Sequence, residues 1–426
     1  MGRGLGATLD AVKTTDSVLT DERDVVCGWA HSGLRGWRTT MEDSVVAHRL
    51  SPHARVFAVF DGHGGSFCSA WAAEQLPRRL KTLAKLQYPA PTKAKEVHFA
   101  ATSLGDTLRQ MDDDLRREGR KAWSCGSTAV ALLVTPRYLT VANLGDSRAV
   151  LCRKGNALPM SKDHKPRSSN ERCRILQAGG CIIDGRVNGD LALSRALGDF
   201  RHKSVPGLAP SEQPVSSDPE MRCVMRLRED RFLLLACDGV WDVMSSSDAV
   251  EFVGACFVQS TRRGAAVKGE AADEPSRDAP HETEAAKAAV EREALRAGLG
   301  TVCELLLDEC LRRGSTDNIS VVLVLLDPNL VPRRDLKRPS AKAPKASLSI
   351  DISQHGAPAA SETVTTRARG LRRVLFSTCL LFIAFAALSG QQFFRSEVLT
   401  PAPRRQVGLK FADGSLSHSH GEEAGR

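Results

Sequence analysis

The sequence predicts an α+β fold with antiparallel sheets, and three observations carry that prediction. Short apolar runs rich in Val, Leu and Phe, each bounded by turn residues, read as strands at 55–60, 127–134, 138–143, 148–153, 231–236 and 319–326. Within 127–153 the two connections, TPR and LGDS, are too short for the crossover that parallel neighbours need, so the stretch reads as a meander. Helical patterns at 66–87, 97–118, 168–178, 246–258 and 284–313 do not alternate with the strands one for one, as a doubly wound parallel sheet requires.

The elements then fall into an order along the chain of 426 residues. Residues 1–22 form an N-terminal extension and 23–327 the folded domain. Inside it, 262–284 is charged, Ala-rich and lacks an apolar stripe; it reads as a solvated insertion loop, with a continuous helix as the open alternative. Residues 328–370 are rich in Pro, Ser, Ala, Lys and Arg and read as a basic flexible linker. Residues 371–394 read as a transmembrane helix, and 395–426 as a polar tail.

The membrane reading rests on VLFSTCLLFIAFAALSGQQFF, 21 residues without a charge between Arg373 and Arg395. A helix of that length spans about 30 Å, the thickness of a bilayer core. Basic residues flank both sides, so charge counting scarcely orients it. The N-terminus has no apolar h-region, which leaves the large N-terminal part expected on the cytosolic side.

Net charge is +9, which invites a nucleic-acid reading until it is divided. Residues 331–426 hold 15 Lys and Arg against 7 Asp and Glu, a net +8. The remaining 330 residues are almost balanced at +1, so a polyanion-binding face there has no global charge behind it, and no nucleic-acid partner is expected. The 12 cysteines are scattered with no C-x-x-C pair, which points to reduced thiols serving as small core residues.

The chemistry lies in acids at strand ends. Asp61, Asp146, Asp238 and Asp317 each lie directly beside an apolar run, in VFDGHGG, NLGDSR, LACDGVWD and STDNIS. A single Asp-Gly after a strand is ordinarily a turn. Four such acids, with Glu42 and Asp43 of GWRTTMED, place four to six carboxylates at one spot if the ends converge. Like charges crowd together only around a counter-cation. Hard oxygen donors in that number suit Mg²⁺ or Mn²⁺ over Zn²⁺, and a shared cluster suits two ions about 3.5–4 Å apart, the arrangement for in-line phosphoryl displacement.

Eight motifs now stand in order: GWRTTMED (36–43), VFDGHGG (59–65), CGSTAV (125–130), NLGDSRAVL (143–151), KDHKP (162–166), RVNGDLALSRALGD (186–199), LACDGVWDVM (235–244) and STDNISVVLV (315–324). Together they resemble the metal-dependent Ser/Thr protein phosphatases of type 2C, over about 25–327. The resemblance implies two antiparallel sheets packed face to face and flanked by helices, a four-layer α-β-β-α sandwich. It implies a site for two metal ions held by Asp43, Asp61, the Gly62 carbonyl, Asp238 and Asp317, with Glu42 reaching a metal-bound water. A third, weaker ion is implied at Asp146, Asp238 and Asp242, with a helix cap as the lesser alternative for Asp242.

The resemblance also implies a mechanism. A hydroxide bridging two cations attacks phosphorus in line, Arg38 grips the phosphate of a phosphoserine or phosphothreonine protein, and His63 protonates the leaving oxygen. His164, Ser194 and Arg195 are expected to shape the loop over the site, and Asp199 is given no ligand role. The expected protein is a membrane-anchored phosphatase with a monomeric catalytic domain. Against it stand a catalytically inactive phosphoprotein-binding scaffold of the same fold, and a two-metal nuclease that the neutral charge of 1–330 disfavours.

Overall fold

The computed structural model describes residues 9–20, 24–87, 93–257 and 284–327. They form two large antiparallel sheets. The first has six strands in the spatial order Asp10–Leu19, Gly28–Gly36, Ile319–Leu325, Asp230–Ala236, Arg148–Arg153 and Asn156–Pro159. The second has five: Glu220–Met225, Tyr138–Leu144, Ala129–Val134, Ala54–Phe60 and Ser44–Ser51.

Three apolar layers hold these sheets and their helices together. Between the sheets lie Trp29, Phe57, Val59, Leu132, Leu233, Leu235, Val322 and Val324. On the outer face of the first sheet, Phe232, Leu234, Val321 and Leu323 pack on Val253 and Phe257 from the helix at 246–257 and on Leu299 and Leu306 from Glu284–Arg312. On the outer face of the second, Val56, Ala58 and Phe60 pack on Leu76 and Leu80 of Phe67–Gln87 and Leu104 and Leu108 of Lys93–Leu115. Successive side chains point to opposite faces of a strand. A central strand buried on both faces is therefore apolar at every position, which is why these strands read as unbroken runs. Each fully buried Leu, Val or Phe contributes about 1.5–3 kcal/mol.

The strands that the sequence does not announce have physical reasons for being quiet. Asp10–Leu19 is an edge strand with alternating exposed and half-buried positions, so it shows Lys13, Thr15 and Asp16 in place of an apolar run. It lies within the expected 1–22 extension, and the sheet therefore begins before residue 23. Gly28–Gly36 contains three glycines, which propensity disfavours; a Cβ on Gly28 would stand 3.0 Å from Leu19 and Leu299 side-chain atoms, so close packing takes the place of propensity. Glu220–Met225 is the opposite edge of the second sheet.

The expected strand at 127–134 is two strands. Ala129–Val134 stays in the second sheet, while Gly126–Ser127 is the middle strand of a small sheet with Leu197–Gly198 and Gly62–His63.

Register decides where the loops go. Ser44 lies opposite Phe60, Ile319 opposite Leu34, and Ala236 opposite both Val321 and Arg148. The connections at residues 37–43, 61, 145–147, 237–238 and 317–318 thus emerge at corresponding strand ends. Among the described residues no helix is long and apolar enough to cross a membrane. The expected span at 371–394, with the linker, the polar tail and nearly all of the 262–284 insertion, lies outside them.

Candidate active site

The acids named from the sequence converge at these strand ends. Asp61 leaves Ala54–Phe60 as Asp43 enters Ser44–Ser51, and its backbone N–H and C=O are both tied to Thr128, at 3.1 Å to the hydroxyl and 2.9 Å from the amide. Asp238 opens the helical turn Asp238–Trp241 after Asp230–Ala236. Asp317 immediately precedes Asn318 and Ile319–Leu325, and Asp146 sits in the turn before Arg148–Arg153.

They share one space, where each raises the pKa of its neighbours. Burial, then the charges of Asp43, Asp238, Asp146 and Asp317, raise Asp61 well above the ordinary carboxylate range. Burial, with Asp146, Asp317 and Asp242, pushes Asp238 up to about 8. Burial, with Asp317, raises Asp43 to about 6. Both carboxylate oxygens of Asp43 are buried without a hydrogen-bond partner. A buried orphan carboxylate costs several kcal/mol in the charged state unless a cation meets it.

Cys237 completes the tightest group of potential ligand atoms among the described residues: one atom each of Asp43, Asp61 and Cys237 lies within 4.8 Å of the others. Burial first, then these same acids, push its thiol well above the ordinary value, so it sits there as a neutral wall; its sulfur accepts the Ser320 N–H at 3.1 Å. The donor set is one of oxygens.

Asn318 locks the loop 37–43 to the strand after Asp317. Its side-chain nitrogen donates to the carbonyls of Arg35 (2.8 Å) and Thr40 (2.9 Å), and its side-chain oxygen accepts the Glu42 N–H at 2.9 Å. Glu42 in turn accepts from the Thr40 hydroxyl (2.8 Å) and the Gly65 N–H (3.0 Å). Gly62 lies so close that an added Cβ would stand 2.4 Å from the Glu42 carbonyl. Gly239 is tighter still, at 2.1 Å from the Asn318 carbonyl. The Asp-Gly pairs are thus close approaches as well as turns.

Three cationic groups border the acids. Arg38 is half exposed and its guanidinium pairs with Asp317. Lys165 pairs with Asp146; burial opposes its charge, but Asp146, with Asp238 and Asp242, outweighs burial and raises its pKa. His63 donates or accepts through Nε2 at 2.8 Å from Asp199 Oδ2. Burial disfavours its cation, yet the Asp199 carboxylate wins and holds His63 above the ordinary imidazole value.

Asp242 is exposed and follows the helical turn, its N–H donating to the Asp238 carbonyl at 2.8 Å; it ends that turn and does not cap its start. Lys165, Asn318 and Cys237 are the site residues that sequence reasoning passed over, and Asp199, given no ligand role there, proves to be the partner of His63. These residues and Asp199 stand inside quoted motifs, but nothing in the motifs says which neighbour each meets. His164, expected to shape the loop, accepts the Gly145 N–H through Nδ1 at 3.2 Å and faces Glu220 at 3.3 Å. Arg195 and Ser194 both bond the buried Glu171 carboxylate, which these contacts hold at about 2 against the cost of burial.

Known proteins are similar to this chain. Protein phosphatase 1B of Rattus norvegicus is 36% identical over 307 residues, covering 69% of this chain and 68% of that protein. Protein phosphatase 1A of Homo sapiens is 34% identical over 301 residues, covering 69% of each chain. Among solved structures, a phosphatase from Toxoplasma gondii superposes with a TM-score of 0.55 at 25% identity, over 74% of this chain and 96% of that one. A family model described as Protein phosphatase 2C matches residues 28–319. On the fold, the acid-lined edge and these matches, the chain belongs to the Protein phosphatase 2C family and is a protein serine/threonine phosphatase.

Proposed function

We propose that this phosphatase hydrolyses phosphoserine and phosphothreonine proteins with two divalent cations, Mg²⁺ or Mn²⁺, held by Asp43, Asp61, the Gly62 carbonyl, Asp238 and Asp317. The observation that carries this reading is Asp43: a buried carboxylate with only the Ser320 hydroxyl and the Cys237 thiol beside it and no well-formed hydrogen bond to either oxygen, among acids that raise one another's pKa. That is a site built for positive charge, and its oxygen donors fit hard ions. When bound, such ions supply neutralisation of the phosphoryl oxygens and acidify coordinated water.

The chain's own residues do the rest. Glu42, fixed by Thr40 and Gly65, is placed to accept a hydrogen bond from water beside the acids. Arg38 holds the phosphate as a planar fork, exchanging its Asp317 partner for substrate oxygens. His63, with Nε2 anchored on Asp199, offers the Nδ1 proton to the departing serine or threonine oxygen, which leaves poorly as an alkoxide. Attack by water in line needs no covalent phosphoenzyme. Lys165 already answers Asp146, so a third ion at Asp146, Asp238 and Asp242 binds more weakly than the first two.

The test is phosphate release from a phosphothreonine peptide by the full chain with EDTA, Mg²⁺ or Mn²⁺. Metal-dependent release that Asp61→Asn and Asp238→Asn abolish is the expected result. A folded protein inactive with every metal overturns the reading and favours a phosphoprotein-binding scaffold.

The anchor is a separate proposal supported by the apolar stretch at 374–394 and its basic flanks. It holds the phosphatase on a membrane with its catalytic part in the cytosol. Carbonate extraction tests it: the full chain stays with the membrane and a 1–370 truncation is released, and equal release refutes it.

A further inference from the structure

Two thiols, Cys68 and Cys125, lie beside the small sheet that carries His63. Cys68 lies in the first turn of the helix Phe67–Gln87, and Cys125 immediately precedes the strand Gly126–Ser127. They are 57 residues apart in sequence, both buried, and their sulfurs stand 2.8 Å apart. Both are free. A disulfide is about 2.05 Å long, so the sulfurs need approach by less than about 1 Å to bond.

Their place in the fold links them to turnover. Gly126 is the middle position of the small sheet, paired with His63 on one side and Gly198 on the other. The Cys125 carbonyl accepts the Asp199 N–H at 3.1 Å. A Cβ added to Gly126 would collide with both Asp199 Oδ2 (2.3 Å) and His63 Nε2 (2.5 Å). A Cβ on Gly198 would meet the Cys125 carbonyl at 2.6 Å and the Cys68 sulfur at 3.0 Å. The segment has no slack, so a movement of Cys125 is transmitted to the His63–Asp199 pair.

We propose that Cys68 and Cys125 form a redox switch, closed to a disulfide by a hydroperoxide such as hydrogen peroxide and reopened by thiols, which turns the phosphatase off by displacing Asp199 from His63. Cys125 is the attacking sulfur. The hydrogen bond between the two sulfurs lowers the Cys125 thiol below its ordinary value and raises that of Cys68, which favours Cys125 as the thiolate of the pair. The thiolate takes one peroxide oxygen, breaking the O–O bond and releasing water after protonation, and becomes a sulfenic acid. The Cys68 sulfur then attacks that sulfur; the S–O bond breaks, a second water leaves and the S–S bond forms. Two thiols are oxidised by two electrons and one peroxide is reduced to two waters. Cys68, Cys125 and the strand between His63 and Gly198 form the whole device.

The effect on turnover rests on His63 acting as the acid; the disulfide itself does not. Full-length protein with Mn²⁺ is treated with increasing hydrogen peroxide, capped with an alkylating agent and digested without reductant. A peptide joining Cys68 to Cys125, lighter by two hydrogens, is expected whether or not the protein turns over. Phosphate release falls with it by about tenfold or more, a part of the ~100-fold that a placed acid supplies, and returns with dithiothreitol. In Cys68→Ser the hydroxyl still donates to Cys125 but cannot resolve its sulfenic acid, so oxidation runs on and dithiothreitol restores nothing. Cys125→Ser keeps its activity under the same peroxide. Absence of the linked peptide at every dose, its presence with unchanged turnover, or a reversible loss that persists in Cys125→Ser overturns the switch.

Discussion

Nε2 of His63 lies 2.8 Å from Oδ2 of Asp199, across 136 residues of sequence. Asp199 is 3% exposed, adopts a left-handed backbone with φ 54° and ends the strand Leu197–Gly198. It raises the imidazole pKa although burial alone would lower it. The acid form of His63 therefore survives to higher pH than an ordinary histidine.

Asp199→Asn is expected to move the alkaline limb of the kcat profile to lower pH and to cut kcat about tenfold. His63→Ala costs about 100-fold or more on a phosphothreonine peptide. Both losses shrink on an aryl phosphate, whose phenolate leaves without a proton. A pH profile on the two substrates reads this directly, and a uniform loss on both refutes the role of His63 as acid.

The acid cluster makes a prediction about the metal-free protein. Burial and mutual repulsion raise Asp43 to about 6 and Asp238 to about 8 in the fold, against about 3.9 in the unfolded chain. The folded state thus binds more protons between pH ~4 and ~8, and its stability falls as pH rises through that window. Thermal unfolding in EDTA should show a Tm that drops from pH 5 to pH 8. Saturating Mg²⁺ or Mn²⁺ lifts the Tm most at the alkaline end, because ions replace protons as the compensating charge. A metal-free Tm that rises across the window would contradict the crowding of these acids.

Gly239 tests the close approach behind Asp238. Its absent side chain leaves room for the Asn318 carbonyl, which an added Cβ would meet at 2.1 Å. Gly239→Ala is expected to cost about 1–3 kcal/mol by urea denaturation and to lower metal affinity, since Asp238 and Asn318 must part.

The buried ion pair of Asp112 and Lys203 carries the segment that presents Asp199. Lys203 Nζ lies 2.8 Å from Asp112 Oδ1, both side chains are at most 5% exposed, and the same Oδ1 accepts the Gly198 N–H at 2.8 Å. Asp112→Ala leaves a buried cation and an unbonded amide, at a cost of about 3–5 kcal/mol. Asp112→Asn, which keeps one acceptor, should cost less, and denaturation of the two variants separates charge from shape.

Much of this molecule was legible in its residues. The central strands are apolar at every position because both faces are buried, and that is a local signature. Asp61, Asp146, Asp238 and Asp317 could be singled out because an acid at the end of such a strand is costly without a partner. The quiet strands escaped for the opposite reason: Asp10–Leu19 is half exposed and Gly28–Gly36 is held by contacts to Leu19 and Leu299 that lie elsewhere in the chain.

Sequence alone thus determined the strand-rich α+β class, the acidic motifs and the family likeness, since each is written in consecutive residues. The tertiary structure decided who meets whom. Antiparallel register brought the acids to one edge, put Asp199 on His63, Lys165 on Asp146 and Asn318 on Glu42, and set Cys68 beside Cys125. Those pairings span tens to hundreds of residues, and only the packing of two sheets against each other fixes them.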